Sequence, residues 1–252
     1  MTSLSLGPAP DVALARINPV AQLTAILVVT VSLLATLDVV TPAVVVAAEL
    51  CLFPAAGMTA ARTIWPRTWP LVLGAGSVGL VNVLFAEQAS PADGAALALR
   101  VVGLALPGVL LVASTDPVRL ADAVVTHWRV PARFAYGALA ALRLTPLLAA
   151  EFESARLARR TRGVEAGRNP VAHARLFGGL TFTLLVAALR RGSRLATAMD
   201  ARGFDSGVAR TSARSSVLRR RDAVFVGATV VVCASAVALS VSIGAWTPIV
   251  GG

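Results

Sequence analysis

The chain has 252 residues, of which 56% are hydrophobic and 14% charged, with a formal net charge of +10. Its mean hydropathy is +0.76, above that of an ordinary soluble domain, so the positive charge must be gathered into a few polar patches. All 23 basic residues are Arg; a GC-rich coding bias accounts for the absence of Lys but not for where the Arg residues cluster, and a chain without Lys has no phosphate-binding P-loop, which excludes ATP hydrolysis through that motif.

From the N-terminus, Met1–Asp11 lacks a basic n-region and a cleavage site, so no signal peptide is expected. About 20 apolar residues are needed to cross a bilayer. Candidate spans are Val20–Thr36, Thr41–Gly57, Trp69–Ala86, Ala98–Ser114 and Ala223–Ala245. Phe134–Leu148 and Phe177–Leu189 are shorter apolar runs that suit buried or in-plane helices as well as spans. Arg16 precedes the first span, and Arg62 and Arg67 fall in a loop at 58–68. The loops at 37–41 and 87–97 hold Asp38, Glu87 and Asp93 without Arg. The excess of Arg on one side predicts a cytoplasmic N-terminus in a multi-pass protein of the inner (cytoplasmic) membrane.

Within the spans, Glu49 is an acid at membrane depth. It is expected either to face Arg62, a polar cavity or a partner, or to be solvated near an interface. Asn82 is expected to hydrogen-bond between helices. Gly74-Ala75-Gly76-Ser77-Val78-Gly79 has the pattern of a dinucleotide fingerprint but lies inside an apolar span, where small residues serve close helix packing. Cys51 and Cys233 both fall in apolar runs and read as buried, inert thiols.

Residues 115–222 contain most of the arginines and form a basic block between the fourth and last spans. The expected division is therefore 1–114 for N-terminal membrane helices, 115–222 for a cytoplasmic helical region and 223–252 for a closing span. Asp116-Pro117 reads as a helix start, and 117–128 as an amphipathic helix along the membrane surface. Two long helices are expected at about 140–162 and 176–202. On the second, Leu185, Leu189, Gly192, Ala196 and Met199 recur at spacings of 4, 3, 4 and 3, a narrow stripe suited to close helix crossing. Arg219-Arg220-Arg221 reads as a positive anchor before the last span.

Each long helix is expected to end on Arg followed by Gly: Arg159-Arg160-Thr161-Arg162-Gly163 and Ala198-Met199-Asp200-Ala201-Arg202-Gly203-Phe204. Gly accepts the left-handed conformation that closes a helix, and Arg suits the negative helix end. Either alone is an ordinary C-cap. Together, 40 residues apart, they offer equivalent plugs to two similar partners. His127 and His173 are isolated and give no metal-ligand spacing, so no metal site is expected.

These stretches, with Ser114-Thr115-Asp116-Pro117, Leu142-Arg143-Leu144-Thr145-Pro146 and Arg16-Ile17-Asn18-Pro19, resemble the T component of energy-coupling factor (ECF) transporters over about residues 16–240. The first tip departs from that family's usual Ala-Arg-Gly, with Thr161 in place of Ala. The resemblance implies an all-α membrane protein of about five transmembrane helices, with two long cytoplasmic coupling helices crossing as an X. It implies that Arg162 and Arg202 anchor in grooves of two ABC ATPase subunits, with Gly163, Ala201 and Gly203 shaping the tips. It implies further that ATP is bound by those partners, that no cofactor or catalytic residue belongs to this chain, and that a separate substrate-binding S subunit carries a vitamin or transition metal. The lipid bilayer is an expected partner and nucleic acid is not. Alternatives are a self-sufficient secondary transporter, which needs paired intramembrane charges, and a membrane scaffold.

Overall fold

A computed structural model describes residues 12–58, 61–85, 90–164, 167, 169–204, 216–244 and 246. The segments around Glu87 and Arg210, and the side chains of Arg62 and Arg67, lie outside the described residues. The N-terminal segment preceding Val12, in which no signal peptide is expected, lies outside them too. Eight α-helices are described: α1 (Pro19–Ala35), α2 (Val40–Cys51), α3 (Ala61–Phe85), α4 (Pro91–Ser114), α5 (Pro117–His127), α6 (Ala132–Thr161), α7 (Pro170–Ala201) and α8 (Arg220–Ser242). No strand occurs among the described residues, and the protein is all-α, as its apolar runs predict.

Among the described residues, four helices are long and apolar enough to cross a membrane: α3 through Thr68–Phe85, α4, α7 and α8. This differs from the sequence expectation in two ways. The first two expected spans fall on α1, with 17 residues, and α2, with 12. The expected span Thr41–Gly57 is broken after Cys51, because Pro54 opens a 3-10 turn that Gly57 closes in the left-handed conformation (φ 74°). In addition, α7 has the length and composition of a span although its sequence lies in the basic block.

The chain divides into two compact units. The first holds α1–α5 and α8. Here α4 packs against α1, α2 and α3, and α8 packs against α1 and α2. Leu33 and Leu106 are fully buried at this centre. The helix starts explain why α4 begins well before the expected 98. Ser90 accepts from Asp93 N, and Asp93 Oδ2 accepts from Ser90 N at 2.8 Å, closing a capping box, with Pro91 at the first helical position. The α3–α4 contact depends on missing side chains. A Cβ on Gly79 would lie 2.6 Å from the Gly94 carbonyl oxygen, and one on Gly94 would lie 2.8 Å from that of Gly79. The small-residue run thus acts through Gly79 and buried Ala75, whereas Gly74 and Gly76 face open space. Asn82 does not make the expected bond: its Oδ1 accepts no hydrogen bond.

The starts of α1 and α8 are clasped together. Asn18 caps α1 by accepting from Val20 N at 3.0 Å, its own N–H donates to Asp222 Oδ1 at 2.7 Å, and its Nδ2 donates to Ser216 Oγ at 2.9 Å. Asp222 in turn accepts from Arg219 N, and His127 at the end of α5 bonds the Ser216 carbonyl at 3.0 Å. The first and last helices of this unit therefore begin on the same side. Gln22 ties the Ser114-Thr115 turn to α1, accepting from Thr115 Oγ1 at 2.9 Å and donating to the Leu14 carbonyl. Arg119 of α5 donates to the Ala15 carbonyl at 2.6 Å.

The second unit holds α6 and α7, longer than expected at their N-terminal ends. Asn169 explains one extension: its side chain accepts from Val171 N and Ala172 N, and Pro170 takes the first helical position. Asn-Pro here starts a helix and does not merely interrupt one. The two helices run antiparallel. Tyr136 meets Phe204 at 6.3 Å between ring centroids, Phe152 meets Phe177 at 5.9 Å, and Arg159 donates to the Leu176 carbonyl.

Candidate functional site

The two Arg-Gly tips close in the same way. Arg162 caps α6 with φ −88° and ψ 8°, and Arg202 caps α7 with φ −89° and ψ 9°. Gly163 and Gly203 follow at φ 74° and 75°, the left-handed region that a side chain strains. Gly163 N donates to the Arg160 carbonyl and Val164 N to the Arg159 carbonyl, at 3.0 and 3.1 Å. Gly203 N donates to the Asp200 carbonyl and Phe204 N to the Met199 carbonyl, at 2.9 and 3.0 Å. Both pairs are the two crossed bonds of a Schellman closure. The main chain alone thus presents each Arg one residue past the last helical turn, at the negative end of its helix. Arg162, Gly163, Ala201, Arg202 and Gly203 are all exposed. Thr161, the departure in the first tip, donates to the Ala158 carbonyl at 3.0 Å inside its own helix and leaves the closure unchanged.

Because α6 and α7 are antiparallel, the tips stand at opposite ends of the pair. Phe204 lies on Tyr136, near the start of α6, and α6 continues from there to Thr161. At 1.5 Å per residue the tips are roughly 40 Å apart. Near the first tip a pocket of about 500 Å³ is lined by Arg156, Arg159, Arg160 and His173 above Phe152 and Phe177. That end of the pair is strongly basic.

The stripe on α7 is placed on one face, with Leu185, Leu189, Gly192 and Ala196 exposed and Met199 half-buried. Links between α6 and α7 include the Phe152–Phe177 ring pair, the ion pair of Arg191 with Glu151 and the bond from Arg159 to the Leu176 carbonyl, none of them on the stripe. The Arg191 guanidinium beside Glu151 holds its carboxyl below the usual range. A 3.5-residue stripe is legible in one sequence; a cross-helix ion pair 40 residues apart is not.

Among the described residues, four charged side chains are buried in the unit of α1–α5 and α8: Asp38, Glu49, Arg100 and Asp222. Glu49 is 5% exposed and lines a cavity, and neither of its carboxylate oxygens has a hydrogen-bond partner within the chain. Arg100 of α4 is 8% exposed, with Nε and Nη2 unbonded, and Asp38 is the acid whose charge it feels. Asp38 Oδ2 accepts from Thr41 N and Thr41 Oγ1, at 2.7 Å each. Arg100 is not among the sequence-predicted site residues; an Arg inside an apolar run is the signal that would have found it. The cysteines differ from expectation as well: Cys233 is buried but Cys51 is exposed on α2, because α2 turns its other face to α4 and α8.

Comparison with known proteins bears on the tips and the membrane helices together. Residues 12–212 match the family described as cobalt transport protein, CbiQ. The chain is similar to the energy-coupling factor transporter transmembrane protein EcfT of Staphylococcus aureus, 30% identical over 140 residues, covering 52% of each chain. It is also similar to the proteins so described from Lacticaseibacillus paracasei, 35% identical over 147 residues (55% of this chain, 56% of that one), and Bacillus subtilis, 30% identical over 150 residues (56% and 57%). The chain spans about half the length of the curated relatives it matches. The family match takes in α1 to α7 and both tips, and on that ground the chain belongs to the CbiQ family of multi-pass membrane proteins.

Proposed function

We propose that this chain is the T component of an ECF-type importer, a coupling subunit and not an enzyme. Two ABC ATPase subunits bind ATP and grip the tips at Arg162 and Arg202. Their closing moves α6 and α7 as coupling helices, crossing as an X beneath the bilayer, and the motion passes to a membrane S subunit that holds the vitamin or transition metal. The chain sits in the cytoplasmic membrane with its N-terminus inside, consistent with Arg16 before α1 and Arg219-Arg220-Arg221 at the start of α8 lying on one side.

The observation that supports this most is the pair of identical Arg-capped closures at opposite ends of one helical pair. Exposed guanidinium groups on rigid stalks suit charge-assisted docking into acidic grooves, and a separation of roughly 40 Å suits two partners better than one. The test is reversal of one charge. Arg202→Glu is expected to abolish ATP-dependent uptake while membrane insertion is unchanged, and reversing both tips is expected to remove the ATPase subunits from the co-purified complex. Uptake at the normal rate by the single variant contradicts the proposal.

Buried Asp38 and Arg100, of opposite charge in the same unit, favour a second reading, a self-sufficient secondary transporter, since such proteins use intramembrane charges. Uptake by this chain reconstituted without any ATPase, lost on Arg100→Leu, would establish that reading instead.

A further inference from the structure

The cavity beside Glu49 lies wholly inside the membrane unit, between α1, α2, α4 and α8, and has a volume of about 180 Å³. Its walls are aliphatic and aromatic, including Ile26, Val29, Val45, Leu110, Phe225 and Val232. Four side chains bring polar or titratable atoms to it: Gln22 from α1, Glu49 from α2, and Thr229 and Cys233 from α8. Gln22 is committed at both ends of its amide, to Thr115 and to the Leu14 carbonyl. Thr229 donates to the Phe225 carbonyl at 3.0 Å. None of the lining residues is basic. The unmet polar capacity is therefore that of Glu49, with both oxygens unbonded on a side chain more than nine-tenths buried.

A carboxyl group buried in apolar surroundings without a hydrogen-bond donor is unfavourable, because it gives up its hydration and gains no partner. A purely structural acid would be paired within the fold, as Asp222 and Asp38 are. Glu49 is not, and it borders a space of defined size. An apolar cavity of about 150 Å³ holds a benzene ring, so this one holds a single ring or an equivalent aliphatic body plus a small head group.

We propose that this cavity is a binding site for a small apolar molecule carrying one ammonium group, which donates to the Glu49 carboxylate while its body fills the space between α1, α4 and α8. Donation from a cation to a carboxylate gives a bond about twice as strong as a neutral one, and more so where water is excluded. An alcohol of the same shape fills the cavity equally well and gains less. An anion of the same shape is repelled. The site does not depend on the coupling role of the tips, because every residue that forms it belongs to the other unit.

The test uses the full chain in phosphatidylcholine nanodiscs, with ¹⁹F NMR titration of 4-fluorobenzylamine, 4-fluorobenzyl alcohol and 4-fluorobenzoate against empty nanodiscs. Saturable binding of the amine is expected, with an affinity at least about tenfold above that of the alcohol, a factor equal to about 1.4 kcal/mol, and no saturable binding of the benzoate. Glu49→Gln, which keeps the shape, is expected to erase the preference for the amine over the alcohol. The comparison of the two probes on the unaltered chain stands even if the variant fails to insert. The proposal is overturned by equal affinities for amine and alcohol, by a preference that survives Glu49→Gln, or by binding of the amine no greater than to empty nanodiscs. Each of these outcomes leaves the coupling proposal intact, since that is read from uptake and co-purification.

Discussion

At the scale of single residues, Gly203 shows how little chemistry the tips need. Its φ of 75° strains any residue with a Cβ, by roughly 1–2 kcal/mol, and a β-branched one more. Gly203→Val is therefore expected to fray the last turn of α7 and reduce ATP-dependent uptake severalfold, with normal membrane levels. Gly203→Asn, which tolerates the left-handed region, is expected to retain most of the activity. Equal uptake by the two variants would show that the backbone shape of the tip is immaterial. Arg and Gly at the tips were legible in the sequence because a C-cap is a local signal. Glu49 was legible as an anomaly, an acid in an apolar run, but its surroundings were not. Arg100 and the Asn18–Asp222 clasp were not legible, because each depends on residues that meet only in three dimensions, Asn18 and Asp222 being 204 positions apart.

At the scale of elements, two contacts govern how helices sit. The first is Gly79 against Gly94, where α3 and α4 touch backbone to backbone. Gly94→Leu has nowhere to place its side chain and is expected to separate the helices, lowering the melting temperature in detergent by several degrees, whereas Gly76→Leu, in open space, is expected to leave it unchanged. The second is Glu151 with Arg191. The carboxyl is held below its ordinary range near about 4.3, so its contribution is fully present above that pH and is lost as pH falls through the lower, folded value. The protection factors of the α6–α7 amides, corrected for intrinsic exchange, are expected to fall on acidification below the ordinary Glu range, and that added sensitivity should be missing in Glu151→Gln. Helix existence was readable from apolar runs and Arg clustering, while the start of α6, expected at about 140, lies eight residues earlier at Ala132, directly after Pro131. The second expected span failed for a definite reason: the apolar run continues past Cys51, but Pro54 redirects the chain. Composition cannot register that turn.

At the scale of the whole molecule, the family match and the helices agree on a multi-pass membrane protein. The antiparallel order of α6 and α7 sets where partners can stand. A photo-crosslinker placed at residue 162 and another at residue 202 are expected to capture two different ATPase subunits in the assembled complex. Capture of the same subunit from both positions would show that one partner spans both tips.

The near-identity of the two closures bears on stoichiometry. Their dihedral angles agree within 1° and their hydrogen bonds within about 0.1 Å. A socket moulded to one of them is by geometry moulded to the other. A homodimeric motor could thus serve both ends without specialising its halves, and an unequal pair of motors would need to draw its asymmetry from the side chains that surround the knobs, not from the knobs themselves.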